Sequence, residues 1–201
     1  MNDKPRDTEA AIMDATLRAV CRHGYADVTM QDIADEFEKS KSLLHYHYDT
    51  KDDLFVAFLE HLVEAYGAKL DELVDGEGDP DDRLREYVDW FSVEPDETER
   101  ASLHLALLEM RSQAQHNQRF RELFRRSDRM ARGAFATLIE AGQRDGTFDQ
   151  DTDIDGLAQL CFVTMDGARA RQVTLDESGY ASAVGETLLA LLFEHLGHAP
   201  E

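Results

Sequence analysis

Residues 39–55 read KSKSLLHYHYDTKDDLF, placing three lysines, two histidines, two tyrosines, two serines and a threonine in one short stretch. Ammonium groups neutralise phosphate, hydroxyls and phenols donate to phosphate oxygens, and imidazole can do either. Residues 39–51 carry Lys39, Lys41 and Lys51 against Asp49 alone, a local +2 with the histidines neutral. The surroundings have the opposite sign. The 201-residue chain holds 42 acidic and 21 basic residues for a net charge of −21, and its first 55 residues still sum to −5 (7 basic, 12 acidic). Steering toward a polyanion is therefore weak or repulsive unless salt screens it. Affinity for nucleic acid would rest on short hydrogen bonds and groove fit rather than on counterion release.

The elements that must position this stretch are helical. Apolar residues recur at helical spacing along almost the whole chain, and alternating strand patterns are absent. Met13, Leu17, Val20 and Cys21 mark a first helix ended by Gly24. Thr29 opens a second, and Asp32 completes an S/T-x-x-D variant of the capping box, with Met30, Ile33, Ala34 and Phe37 as the inner face. A third short helix follows EKS with Leu44 and Tyr48 inward, and Thr50 with Asp53 repeats the capping spacing before a longer fourth helix. DGEGDPDD (75–82), VEPDE (93–97) and DGTFDQDTD (145–153) then separate later segments. The spacing predicts an all-α fold of nine helices, three short and then six. Thr29 to Tyr48 has the length of a helix-turn-helix, with Ala34 small enough for the two helices to cross closely. In that motif the second helix enters the major groove, so Ser40, Lys41, Ser42, Leu43 and His45 would meet base edges or phosphate at its start.

The line VTMQDIADEFEKSKSLLHYHYDTKDDLF (28–55) closely resembles the DNA-binding domain of the TetR family of one-component transcriptional regulators. Thr29, Ile33–Ala34, Leu44, Tyr46, His47, Tyr48, Lys51 and Leu54 fill that family's pattern without a gap. Gly24–Tyr25, TLIEAGQRDGTFD and FVTMDGARARQ are also similar to it, so the resemblance spans the chain and is most specific over the first 65 residues. It implies a two-domain architecture: a DNA-binding head over 5–65 and a ligand-binding and dimerisation domain over 66–201. On that footing Thr29 and Gln31 meet the DNA backbone or a groove edge. Lys41, Ser42, Leu43, His45 and His47 face the groove or flanking phosphates, Tyr46 packs on the backbone, and Lys51 grips a phosphate. Two residues depart from the pattern. His45 stands where the family usually has tyrosine, so the contact is expected to vary with pH. Glu38 stands where a turn glycine is usual, so the turn must adapt.

The resemblance further implies a small-molecule pocket between helices four and eight. Its candidate lining is Leu62, Tyr66, His104, Leu107, Leu108, Arg111, Phe120, Phe124, Phe162, Met165 and Asp166. It also implies a homodimer formed through the last two helices, with Leu157, Leu160, Cys161, Val184, Leu188, Leu191 and Leu192 as candidate contacts. Two heads set one DNA turn or a multiple apart, about 34–36 Å, match a palindromic double-stranded operator. The competing reading is that most of these apolar side chains close the protomer's own core, and that His104 is exposed or internally bonded.

Other classes find less support. No nucleophile elbow, Gly-rich phosphate loop or cluster of metal ligands is present, so neither an enzyme nor a cofactor is expected. His45 and His47, two apart on a helix, point about 200° apart and do not share an ion easily. Cys21 and Cys161 read as buried, reduced thiols. The polar start and the absence of a long apolar run point to the cytoplasm and away from membranes. Arg outnumbers Lys (16 to 5) and Asp outnumbers Glu (24 to 18). Such a surface suits a halophilic interior, where the Debye length falls to about 3 Å at 1 M; in an ordinary cytoplasm it would repel nucleic acid. The leading expectation is a ligand-responsive repressor acting as a homodimer. The alternative is a helical ligand- or protein-binding module whose helix-turn-helix does not bind DNA specifically.

Overall fold

The computed structural model describes residues 5–37, 41–92, 98–149 and 151–197, with backbone alone for residues 5–7 and Lys41. The helices are α1 (Pro5–Asp27), α2 (Met30–Glu36), α3 (Lys41–His47), α4 (Lys51–Val74), α5 (Pro80–Phe91), α6 (Thr98–Gln113), α7 (Gln118–Asp145), α8 (Ile154–Leu175) and α9 (Tyr180–His195). The nine-helix, all-α expectation holds over the described residues, which contain no strand.

The boundaries follow from local chemistry. Gly24 interrupts α1 with φ 75° and ψ 165°, a left-handed φ that glycine adopts without a Cβ penalty. The Thr29 hydroxyl accepts the Asp32 N–H, and the Asp32 carboxylate accepts the Thr29 N–H, so the capping box expected at α2 is complete. Thr50 and Asp53 repeat the side-chain half of this arrangement at α4. Pro80 occupies the first turn of α5, where its missing N–H costs nothing, so that helix begins inside the acidic break. Asn117 caps α7 by accepting the Phe120 N–H, and Asp153 caps α8 by accepting from Gly156. The VEPDE segment lies outside the described residues.

The chain divides into two compact units. The first runs up to Glu64 and includes Thr98–Phe124; the second comprises Ala65–Glu97 and Arg125–Glu201. In the first, α1 lies along α6 and also packs on α2, which in turn packs on α3. Its interior is built from Ile12, Ala19, Val20, Ile33, Leu44, Leu54, Phe55 and Phe58. This unit holds more than the 5–65 segment assigned to the head from sequence. Ala106, Met110 and Phe120 are fully buried, and α6 with the start of α7 joins α1. In the second unit α8 packs on α9, and α5 packs on both, around Tyr87, Phe91, Phe135, Leu138 and Met165. Each such side chain contributes about 1.5–3 kcal/mol through burial. The buried Tyr87 hydroxyl donates to the Ala131 carbonyl at 3.0 Å, so its polar tip is satisfied.

Candidate nucleic-acid interface

The orientation of α3 is set by Leu44, which has no exposed surface. Ser42, His45 and Tyr46, spaced i, i+3 and i+4, therefore share the outward face. Ser42 and His45 are exposed, and Tyr46 is 83% exposed, the most of the exposed large apolar or aromatic residues described. Leu43 and His47 flank this face half-buried, with the His47 ring edge-on to Tyr46 at 5.6 Å. A tyrosine so open adds little to the stability of the isolated chain, but it offers a flat apolar ring and a hydroxyl to a partner. Ser40, with Glu38 and Lys39, lies outside the described residues, as does the side chain of Lys41.

Helix α2 is anchored at both ends. At its C-terminus Glu36 is held by Arg22, and Arg18 donates to the Glu36 carbonyl at 2.9 Å, tying α2 to α1. At its N-terminus the Thr29 hydroxyl donates to Asp32 at 2.6 Å while accepting from the Asp32 N–H. A hydroxyl has one proton, so a donated contact from Thr29 to phosphate would give up the O–H bond to Asp32 while the two N–H bonds of the capping box stay in place. The Thr29 side chain and backbone hold the Asp32 carboxyl below the usual range, and Thr50 with Arg119 does the same for Asp53. Gln31 is exposed, and its amide donates to Asp35.

The ammonium of Lys51, expected to grip phosphate, has partners within the chain. It donates to the Tyr25 carbonyl at 2.7 Å, reaches the Ala26 carbonyl at 3.4 Å, and lies 4.8 Å from the centre of the Tyr25 ring. Burial lowers its pKa, against the raising effect of Asp52, Asp27 and Glu109. Two of its three donors thus face the end of α1. Tyr25 itself stands edge-on to Phe55 at 4.9 Å and to Phe120 at 6.0 Å. Sequence reading passed over Tyr25 as a structural centre and over Glu109 altogether. One glutamate among 18 carries no distinguishing spacing.

The pocket candidates fall in both units. Leu62, His104, Leu107, Leu108, Arg111, Phe120 and Phe124 belong to the first, and Tyr66, Phe162, Met165 and Asp166 to the second. Phe120, Phe162 and Met165 are buried within their own unit, as the core reading anticipates. Arg111 lies over the Phe124 ring at 4.7 Å, Tyr66 stacks on Trp90, and Asp166 pairs with Arg169 at 3.1 Å. A cleft of about 380 Å³ in the first unit is lined by Tyr25, Asp52, His116, Arg119 and Phe120 among others, and shares only Phe120 with the expected set. The dimer candidates also divide. Cys161, Leu188 and Leu192 are absorbed by the core of the second unit and Leu157 packs against it, whereas Leu160 and Leu191 are 54% and 61% exposed. Val184 is half-buried. A partner can therefore reach Leu160 and Leu191 but not Cys161, because α8 and α9 use one face against each other. Among the described residues no group of three or more His, Cys, Asp or Glu is placed to hold a metal ion, and no helix is long and apolar enough to cross a membrane.

Comparison with known proteins matches residues 12–58 to the family model "Bacterial regulatory proteins, tetR family" and residues 80–197 to "BetI-type transcriptional repressor, C-terminal". The chain is 25% identical to the HTH-type transcriptional repressor NicS of Pseudomonas putida over 168 residues, covering 80% of this chain and 75% of that one. It superposes on the crystal structure of a TetR transcription regulator from Haloarcula marismortui with a TM-score of 0.83 and 38% identity, covering 96% and 97% of the two chains. It shares its fold, at a TM-score of 0.78 and 24% identity over 94% and 97% of the chains, with a transcriptional regulator from Saccharomonospora viridis solved with choline. The exposed face of α3 lies inside the first matched segment, and the second covers more than half of the chain. The chain belongs to the TetR family of helix-turn-helix transcriptional regulators.

Proposed function

We propose that this protein is a homodimeric repressor that reads a palindromic operator with α3 and leaves it when a small molecule binds the rest of the chain. The observation that carries this reading is the outward face of α3. Burial of Leu44 turns Ser42, His45 and Tyr46 together toward solvent, with Leu43, His47 and the start of α3 at Lys41 beside them. Ser40 and Gln31 complete the groove and backbone contacts. Thr29 acts chiefly as the cap that holds α2, and Lys51 chiefly as the tie between α4 and α1.

Leu160, Val163, Leu175 and Leu191 remain exposed on α8 and α9, an apolar surface of the kind that a second copy covers in a symmetric pair. Effector action requires unequal affinity for two conformations of the dimer. Choline is the first compound to titrate. The Saccharomonospora regulator was solved with it, and the partly buried Tyr66 and Trp90 supply stacked aromatic rings of the type that attract quaternary ammonium. The acidic surface, together with likeness to a Haloarcula protein, supports a cytoplasm rich in salt, in which repulsion between an anionic regulator and DNA is screened.

The test is selection of duplexes by the purified protein in concentrated potassium chloride. Recovery of a two-fold symmetric site supports the reading. Enrichment of no sequence at any salt would favour a module that has lost operator binding.

A further inference from the structure

The Tyr25–Ala26 peptide is gripped at both ends by opposite charges. Its carbonyl accepts from the Lys51 ammonium of α4 at 2.7 Å, and its N–H donates to the Glu109 carboxylate of α6 at 3.1 Å. A peptide dipole runs from oxygen to N–H hydrogen, so the cation sits at its negative end and the anion at its positive end, the favourable order at both. The approach of Glu109 depends on Gly24: a Cβ there would lie 3.3 Å from the nearer carboxylate oxygen, and the φ of 75° already disfavours one. Beyond this turn the Val28 N–H returns to the Gly24 carbonyl at 3.2 Å, and the next residue is Thr29, the cap of α2. Arg18 and Arg22 hold only the far end of α2. The turn that leads into α2 thus holds one peptide between two charged side chains, beside the buried Val28 and the packing of α2 on α1.

We propose that Glu109 is a positioning residue for DNA reading. It holds the N–H end of the Tyr25–Ala26 peptide while Lys51 holds the carbonyl end, and so aims α2 and, through it, α3 at the groove. The proposal rests on the operator-reading function above. It names a residue more than fifty positions beyond the matched DNA-binding segment, on α6, as part of the reading head. The grouping of α6 with α1 to α3 in one compact unit is the packing that makes this possible. Removing the carboxylate leaves the Ala26 N–H without its acceptor, loosens the turn and blurs the aim of α3, whereas an amide at the same place can still accept.

The experiment compares wild type, Glu109→Ala and Glu109→Gln in titrations against the selected operator duplex and a scrambled duplex at fixed potassium chloride. Hydrogen exchange is followed at the Ala26 amide. The expected result is a loss of about tenfold in operator affinity for Glu109→Ala with little change on scrambled DNA, and about threefold for Glu109→Gln. Ala26 should exchange faster in the alanine variant while the amides of the α4 core keep their protection. Should Glu109→Ala not fold, Glu109→Met decides, since it keeps the packing of the stem and lacks a strong acceptor. Operator affinity within twofold of wild type, or an unchanged Ala26 amide, in the deciding variant overturns the positioning role alone. Failure of the wild-type protein to prefer the operator duplex over the scrambled one overturns the operator-reading function, and this proposal with it.

Discussion

Lys51 donates to the carbonyl oxygen of Tyr25 at 2.7 Å while its ammonium stands 4.8 Å from the centre of that residue's ring. A cation held by a carbonyl and an aromatic face is desolvated from two sides, and burial duly lowers its pKa. Two of its three donors are then directed to carbonyls of the chain itself. Lys51→Ala should weaken binding to the operator more than binding to scrambled DNA, because it frees the carbonyl end of the Tyr25–Ala26 peptide that aims α2 and α3. The slope of log affinity against log salt should stay unchanged. A slope smaller by about one would mean that Lys51 neutralises a phosphate after all.

His45 shares the open face of α3 with Ser42 and Tyr46 and makes no fold-holding contact comparable to that of Leu44. His45→Ala should therefore leave thermal stability within about 0.5 kcal/mol of wild type. It should change which base is preferred at one position of the operator, at a cost of about 1–3 kcal/mol for the best site. Site selection repeated with the variant checks this. An identical selected motif would remove His45 from the reading surface.

The helices were legible because their signals are local. Thr29 with Asp32 and Thr50 with Asp53 stand at capping spacing, Gly24 marks a left-handed break, and Ile33 and Leu44 keep helical phase on a buried face. The outward set on α3 followed from the same phase once Leu44 was placed inside. What stayed hidden depends on contacts between residues distant in sequence. Nothing near Glu109 announces that it reaches Ala26, 83 positions earlier. Nothing in the run LALLE distinguishes the side chains of α6 that face α1 from those that do not. The apolar stripes of α8 and α9 were visible, but an apolar residue looks the same whether its neighbour is its own chain or a second copy. Only packing separates Leu188 from Leu191.

The capping carboxylates give the head an acid limit. Asp32 and Asp53 are held below the usual carboxylate range, first by the hydroxyls of Thr29 and Thr50. A carboxyl with a depressed folded-state pKa contributes stability that is present above its unfolded value and lost as pH falls through its folded value. Melting curves taken from pH 6 to pH 2 in concentrated salt should fall more steeply for wild type than for the Asp32→Asn, Asp53→Asn double variant. Thr29→Ala should cost about 1 kcal/mol at neutral pH through the lost cap. Parallel curves for the two proteins would dismiss the caps as the source of acid sensitivity.

Neither thiol is poised to react. Burial pushes the Cys161 thiol up to about 12 and, with Glu99 as a second cause, that of Cys21 up to about 11. The thiolate is the nucleophile, so at pH 8 both should modify slowly with Ellman's reagent in the folded protein and rapidly in guanidinium. Cys21 is only half-buried, unlike the buried Cys161, so fast reaction of one equivalent in the native state would point to Cys21 and contradict its raised pKa.

Leu188 and Leu191 lie three residues apart on α9 yet differ in exposure, 9% against 61%. Leu188→Ala removes packing from the core of the second unit and should cost about 2–4 kcal/mol of stability with the association state intact. Leu191→Asp removes nothing from that core. It places a charge on the apolar face proposed to meet a second copy, so it should shift the mass measured by light scattering from dimer to monomer. Operator affinity should fall with it, because a lone head forfeits the second half-site. A Leu191→Asp protein that stayed dimeric would move the interface away from this face of α9. A Leu188→Ala protein that became monomeric without losing stability would put Leu188 in the interface instead of the core.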